Sequence, residues 1–263
     1  MISASRYALL FAITVCLVLV SQPSNAQTRY TIGLGAGVAP DYEGSDDYKF
    51  VPLWNLRADN LYHPDTYVSV LATKARSNLL PSENWRLGPV LQYIPERNDV
   101  DDNRVDDLQH VDASVMVGAV GGYELKLAEK SAAGIEIEAR QDVSGGNGYL
   151  ATLRGTYRAP VGEKTRFNGG IESTYASEQY MSSYFGINAK NSQRSNLDKY
   201  NADAGIKDVG LNVSLTYDLF DNFTLTGIGR YNLLVGNAAD SPIVDDRGSE
   251  HQLFAGVLIG YRF

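Results

Sequence analysis

The chain has 263 residues, 44% of them hydrophobic and 21% charged, with a formal net charge of −8. This composition excludes a disordered or collagen-like chain, and the acidic balance argues against nucleic acid as a partner. One cysteine and three histidines leave little for a zinc site or a redox pair, and a mean hydropathy of −0.22 speaks against a bundle of membrane helices.

Residues 1–26 read as a cleaved signal peptide. Arg6 is the only charge before position 29, and the apolar run 8–20 that follows is too short to span a bilayer. Ser24 and Ala26 then occupy the −3 and −1 positions of a cleavage site. Cys16 lies inside the apolar run after Thr14 and Val15, which does not fit a lipoprotein signal. Residues 27–263 therefore form the expected mature domain, without a cysteine.

From residue 30 onward the pattern has period two. Tyr30, Ile32, Leu34, Ala36 and Val38 alternate with Thr31, Gly33, Gly35 and Gly37. The segments 111–125, 149–159, 167–175 and 209–219 repeat the alternation, and 133–140 is the cleanest. There Ala133, Ile135, Ile137 and Ala139 alternate with Gly134, Glu136, Glu138 and Arg140. On a strand this gives one apolar and one polar face.

Three observations point the apolar face at lipid rather than into a soluble core. The segments run to about 10 residues, enough at about 45° tilt to cross the apolar band of an outer-membrane barrel. The polar face carries Glu136, Glu138, Arg140, Arg154, Arg158, Glu172 and Arg230, which a wet lumen accepts. Arg154 and Arg158 are opposite in sign to the glutamates and are expected to pair with them across neighbouring strands. Tyrosines recur at strand ends, where an interfacial girdle sits. The chain closes on Phe263, Tyr261, Ile259, Val257, Ala255 and Leu253, an apolar residue at every second position. Tyr261 and Phe263 resemble the terminal signal recognised by the outer-membrane insertion machinery.

The expected fold is thus all-β: a transmembrane, antiparallel, up-and-down β-barrel in the bacterial outer membrane, in contact with lipid and lipopolysaccharide. Eleven strands begin near Tyr30, Lys49, Asp65, Asn84, His110, Ala132, Tyr149, Arg166, Val209, Phe223 and His251. With both ends on one side the number is even. Twelve strands are expected, within a range of 10–14, the missing one lying in 60–80 or in 177–208. Short connectors at 127–131, 160–165 and 220–222 alternate with long polar stretches at 96–109, 141–148, 177–208 and 236–250, as periplasmic turns alternate with outer loops.

Few constellations carry chemistry. The acidic stretch 96–109 holds Glu96, Asp99, Asp101, Asp102, Asp106 and Asp107, read either as a divalent-cation site or as a solvated outer loop; it lacks an EF-hand's glycine and terminal glutamate. His63, His110 and His251 are scattered. Ser249 and His251 invite a hydrolase reading, but no third group orients them. Gly33, Gly35 and Gly37 are not a phosphate loop, since no Lys–Ser/Thr follows; they read as room for close packing at the lumen wall. No catalytic, cofactor or metal residue is assigned, and an enzyme is not expected. Whether the lumen is a pore or is filled stays open, with small barrels tending to be filled.

Residues 33–57 (GLGAGVAPDYEGSDDYKFVPLWNLR), 184–209 (YFGINAKNSQRSNLDKYNADAGIKDV), DSPIV at 240–244 and the closing GYRF resemble the MipA/OmpV family of outer-membrane proteins. The resemblance covers about 30–263. It implies a barrel without known catalysis, scaffolding murein (peptidoglycan) enzymes: a lytic transglycosylase and a bifunctional, penicillin-binding murein synthase. The alternative is a narrow channel or transporter for small polar solutes. The matched motifs place candidate interaction residues in two outer loops: Asp41, Tyr42, Glu43, Gly44 and Ser45 in the first, Tyr184, Phe185, Gly186 and Tyr200 in the long one. The long loop is expected to fold against the lumen or the first loop.

Overall fold

A computed structural model describes residues 28–263; the expected signal peptide lies outside them. The strands are β1 (Arg29–Pro40), β2 (Tyr48–Asp59), β3 (Tyr67–Leu71), β4 (Lys74–Asn78), β5 (Trp85–Ile94), β6 (Ser114–Ala128), β7 (Ser131–Asp142), β8 (Tyr149–Pro160), β9 (Thr165–Ala176), β10 (Gly205–Phe220), β11 (Phe223–Leu234) and β12 (His251–Arg262). Each pairs antiparallel with its neighbours in sequence, and β1 pairs with β12 to close the barrel. Closure leaves no end strand, the condition for sheet structure in a membrane.

Burial is inside out. Ile137 is 62% exposed while Glu138, its neighbour on β7, is 0% exposed. Period two with lipid outside gives this result directly: apolar side chains face the bilayer and charges face the lumen. At the short-turn end Tyr30 stacks on Phe263, Trp85 meets Tyr123 edge-on, and Phe223 meets Tyr261, forming part of an interfacial girdle.

The strand left unplaced by the sequence lies in 60–80, where β3 and β4 form a hairpin of two five-residue strands. The hairpin's register with β2 reaches only as far as Asn55, so the outer half of β2 has no strand paired with it on that side among the described residues. Trp54 turns its carbonyl to the Ala72 N–H. Pro52, two residues further along, turns the same way and has no N–H to leave unpaired, a common edge-strand device. β6 begins at Ser114 rather than His110, because Val111 pairs instead with Arg97 in the preceding loop.

The long connections fold into short helices at the outer mouth: α1 (Asn103–Asp106), α2 (Glu178–Phe185) and α3 (Ala189–Ser195). Ser177 caps α2 by accepting from the Tyr180 N–H, and Asn188 caps α3 by accepting from the Asn191 N–H. Pieces this short need tertiary packing to persist. α2 obtains it by burying Tyr180, Met181, Tyr184 and Phe185 against inward-facing Met116, Leu150 and Leu234.

Candidate functional site

Two polar assemblies occupy the barrel. The first is a band of charge at mid-height. Register places Arg154 on β8 opposite Glu136 on β7 and Glu172 on β9. Its guanidinium reaches Glu172 at 2.7 Å and Glu136 at 3.3 Å. Fully buried Glu138 is met by Lys74, by Arg76 Nε at 3.1 Å and by Arg140 Nε at 2.9 Å. Arg76 also holds Glu136 at 2.7 Å. Lys74 and Arg76 extend from β4 to reach β7 across the lumen side of β5 and β6. Nearer the short-turn end, Arg158 pairs with Glu124 at 2.6 Å, and Arg86 shares that carboxylate at 2.7 Å. Arg230 is exposed and has no ion pair among the described residues.

The alternation of the longer strands does not mark Lys74, Arg76 or Arg86 as lumen charges. Lys74 and Arg76 sit on β4, the one strand of the short hairpin that the sequence leaves unplaced. The alternation within KARSN is the one signal that points to them.

The second assembly caps the outer mouth and gathers residues from both motif loops. Glu43 accepts from the Tyr180 hydroxyl at 2.8 Å and pairs with Lys207, which also meets Asp208. Gly44 has φ +101°, and a Cβ there would lie 2.6 Å from Val244 Cγ2, so only glycine fits. Its N–H donates to Gln252 Oε1 at 3.0 Å, and its carbonyl accepts from the Ser249 N–H at 2.9 Å. Ser45, fully buried, accepts from the Asp47 N–H with its Oγ and from Gln252 Nε2 with its carbonyl. Asp41 pairs with Lys49 at 2.7 Å and accepts from the Asp101 N–H.

Tyr42 is buried, and burial, reinforced by nearby Asp102, raises its phenol above the ordinary value. Tyr180 and Tyr184 stack at 4.3 Å. Burial, with Glu43 close by, pushes the Tyr184 phenol up to about 12 and the Tyr180 phenol up as well. Both stay neutral at ordinary pH. The Phe185 side chain is fully buried and its carbonyl accepts from Ser241 Oγ at 2.7 Å. Gly186 lets the α2 end approach Ser182, whose carbonyl a Cβ would meet at 2.5 Å. Tyr200 donates its hydroxyl to the Asn237 carbonyl at 2.9 Å. Tyr261 and Phe263 belong to neither assembly. They lie at the opposite end, where Phe263 exchanges two 3.0 Å backbone hydrogen bonds with Tyr30.

The acidic stretch serves the cap. Asp102 accepts from the Arg104 and Val105 N–H groups and binds Arg247. Burial opposes its charge, but these donors outweigh burial and hold the carboxyl below its ordinary value. Among the described residues no three His, Cys, Asp or Glu converge as metal ligands would. His63 lies by Asp65 in the 60–66 turn. The His251 backbone N–H donates to Ser249 Oγ, while its ring meets Tyr231, so the Ser249 hydroxyl is not held by the imidazole.

Beside the cap, a polar cleft of about 460 Å³ opens between the 95–113, 143–148 and 177–204 connections. Arg97 sits in its wall, only 7% exposed, and burial lowers its pKa from the ordinary value. The sequence does not mark it: one arginine in an acidic loop carries no pattern.

Comparisons with known proteins agree with this architecture. A family profile described as MltA-interacting protein MipA matches residues 32–263. The chain is similar to an MltA-interacting protein of Escherichia coli (strain K12), 25% identical, with 90% of this chain and 92% of that protein covered. It is similar to a putative outer membrane protein, YiaT, of the same strain, 24% identical, covering 83% and 86%. Among solved structures, an outer membrane channel from Pseudomonas putida F1 superposes with a TM-score of 0.50 at 15% identity, covering 92% of this chain and 97% of that one. That likeness concerns fold.

Proposed function

The chain belongs to the MltA-interacting protein MipA family, and on that premise we propose that it is a non-enzymatic outer-membrane barrel that scaffolds peptidoglycan enzymes, a lytic transglycosylase together with a murein synthase. The observation that carries this reading is the packed cap at the outer mouth. Phe185 and Met181, both 0% exposed, continue the wall's own inward apolar side chains. Such packing, apolar side chains beside paired charges, resists solute passage, and opening it costs the burial of several large side chains. What remains accessible to the periplasm is the short-turn rim, with exposed Glu129, Lys130, Glu163 and Lys164. Such a rim suits weak, polar contacts with soluble or anchored enzymes.

Two measurements test the proposal. Affinity capture of the full chain from detergent-solubilised envelopes is expected to enrich a lytic transglycosylase; no enrichment over an unrelated barrel of similar size would sink the scaffold. In planar bilayers the intact protein is expected to give no steady openings. Steady openings would favour the second reading, a narrow channel, for which the lumen-facing Arg230, without an ion pair among the described residues, is the specific support.

A further inference from the structure

Arg97 is a buried cation that makes no ion pair among the described residues, Glu43 acting on it only from a distance. Its Nη1 donates to the Tyr184 carbonyl at 2.6 Å, and its backbone pairs with Val111. No carboxylate lies within ion-pair distance of its guanidinium among the described residues. The acids of the neighbouring cap are committed elsewhere: Glu43 to Lys207 and Tyr180, Asp102 to Arg247. Removing a charge from water without a partner is costly, and proteins rarely leave one so placed without a use. Arg97 lines the 460 Å³ cleft.

The rest of the cleft wall is rich in neutral hydrogen-bonding groups. Asn147, Asn201, Ser182 and Ser183 make no side-chain hydrogen bond among the described residues, and Asn188 uses only its oxygen, for the α3 cap. Amides and hydroxyls of this kind match a ligand's hydroxyl groups, and a buried guanidinium matches a carboxylate in two-pronged fashion. The volume lies within the range of small-ligand pockets. The wall's one carboxylate, Asp112, is exposed and makes no ion pair with Arg97.

We propose that this cleft is a binding site for a carboxylated sugar, with Arg97 taking the carboxylate and the asparagine and serine side chains taking hydroxyls. The site faces the outside of the cell, so its ligand is a free sugar acid or an acidic sugar of a surface glycan. It is separate from the periplasmic rim, and scaffolding and ligand binding stand or fall independently.

Calorimetric titration of the purified full-length barrel with galacturonate tests the site, with galactose, inorganic phosphate and an acidic-sugar-bearing surface glycan as parallel arms. Galacturonate is expected to bind with a Kd of about millimolar or tighter, and galactose about tenfold more weakly or worse. Arg97→Met is expected to abolish the difference between the two sugars. Because that variant disturbs a buried contact, Ser183→Asp serves as a second: it leaves Arg97 in place, adds negative charge to the wall, and is expected to weaken galacturonate about tenfold. Tighter binding of the glycan than of free galacturonate identifies the surface source, and the reverse identifies the free acid. No galacturonate binding, equal binding of galactose, stronger binding of bare phosphate, or full binding by Ser183→Asp would each overturn the proposal.

Discussion

The mid-height charge band and the outer cap are both buried and polar, but they are positioned by different means. The band inherits its geometry from strand register: Arg154 lies between Glu136 and Glu172 because β7, β8 and β9 are in step. The cap has no such frame. Glu43 finds Lys207 across 164 positions, and Gly44 finds Gln252 across 208, so its residues hold one another in place. A register-built site tolerates a lost contact without moving its backbone, whereas a loop-built site loses structure along with the contact. The band concentrates electrostatic cost, and the cap concentrates cooperativity.

The sharpest way to break this contrast is at Glu138. Glu138→Gln leaves Lys74, Arg76 and Arg140 facing one another without their shared counter-charge, and is expected to destabilise the barrel by about 3–5 kcal/mol. Urea unfolding followed by Trp54 and Trp85 fluorescence measures it; a loss below about 1 kcal/mol would show the band to be solvated and weak. In the cap, Lys207→Met strands Glu43 and Asp208 and is expected to cost about 2–4 kcal/mol. Glu43→Gln on that background should restore about 1 kcal/mol, because the pair is coupled. Strict additivity would mean that the cap is not cooperative. Gln252→Ala removes two links between the first loop and β12 and is expected to cost about 1–2 kcal/mol, with protease cutting within 41–47 rising in parallel.

The smallest effect is one of pH. The folded Asp102 carboxyl titrates below its ordinary value. Its contribution is therefore complete above the unfolded carboxylate value, about pH 4, and is lost as pH falls through the lower folded value. Cleavage in 95–113 should rise only in strongly acidic buffer, and Arg247→Gln should move that rise to higher pH. A profile indifferent to Arg247→Gln would remove Asp102 from the cap's stability.

Most of the wall was legible in the sequence because lipid outside and water inside impose an unbroken alternation, as in 133–140 and 209–219. The β3–β4 hairpin was not, for a local reason. Its strands have five residues each, and the connection between them is Ala72 and Thr73, with no Gly, Pro, Asn or Asp to announce a turn. Ala72 takes φ +47° without the residue type that usually marks it. The cap was half legible. Tyr42, Tyr184 and Phe185 were marked as candidates by the family resemblance of the motifs that carry them. The pairing of Glu43 with Lys207 is purely tertiary, and α2 escaped notice because eight residues give too few turns for a helical period to show. Arg97 had no signal at all, because what distinguishes it is burial without an ion pair among the described residues, which only three dimensions reveal.

The links from Gly44 to Ser249 and Gln252 span the seam where β1 meets β12. Contacts so distant in sequence carry a loop-closure entropy cost that the intervening wall offsets by bringing them together. The same links therefore act as a clasp on a finished barrel. A chain still open at the seam has its first loop unclasped and Tyr42 without its buried seat. The clasp therefore reports closure: its two halves meet only where β1 and β12 are paired.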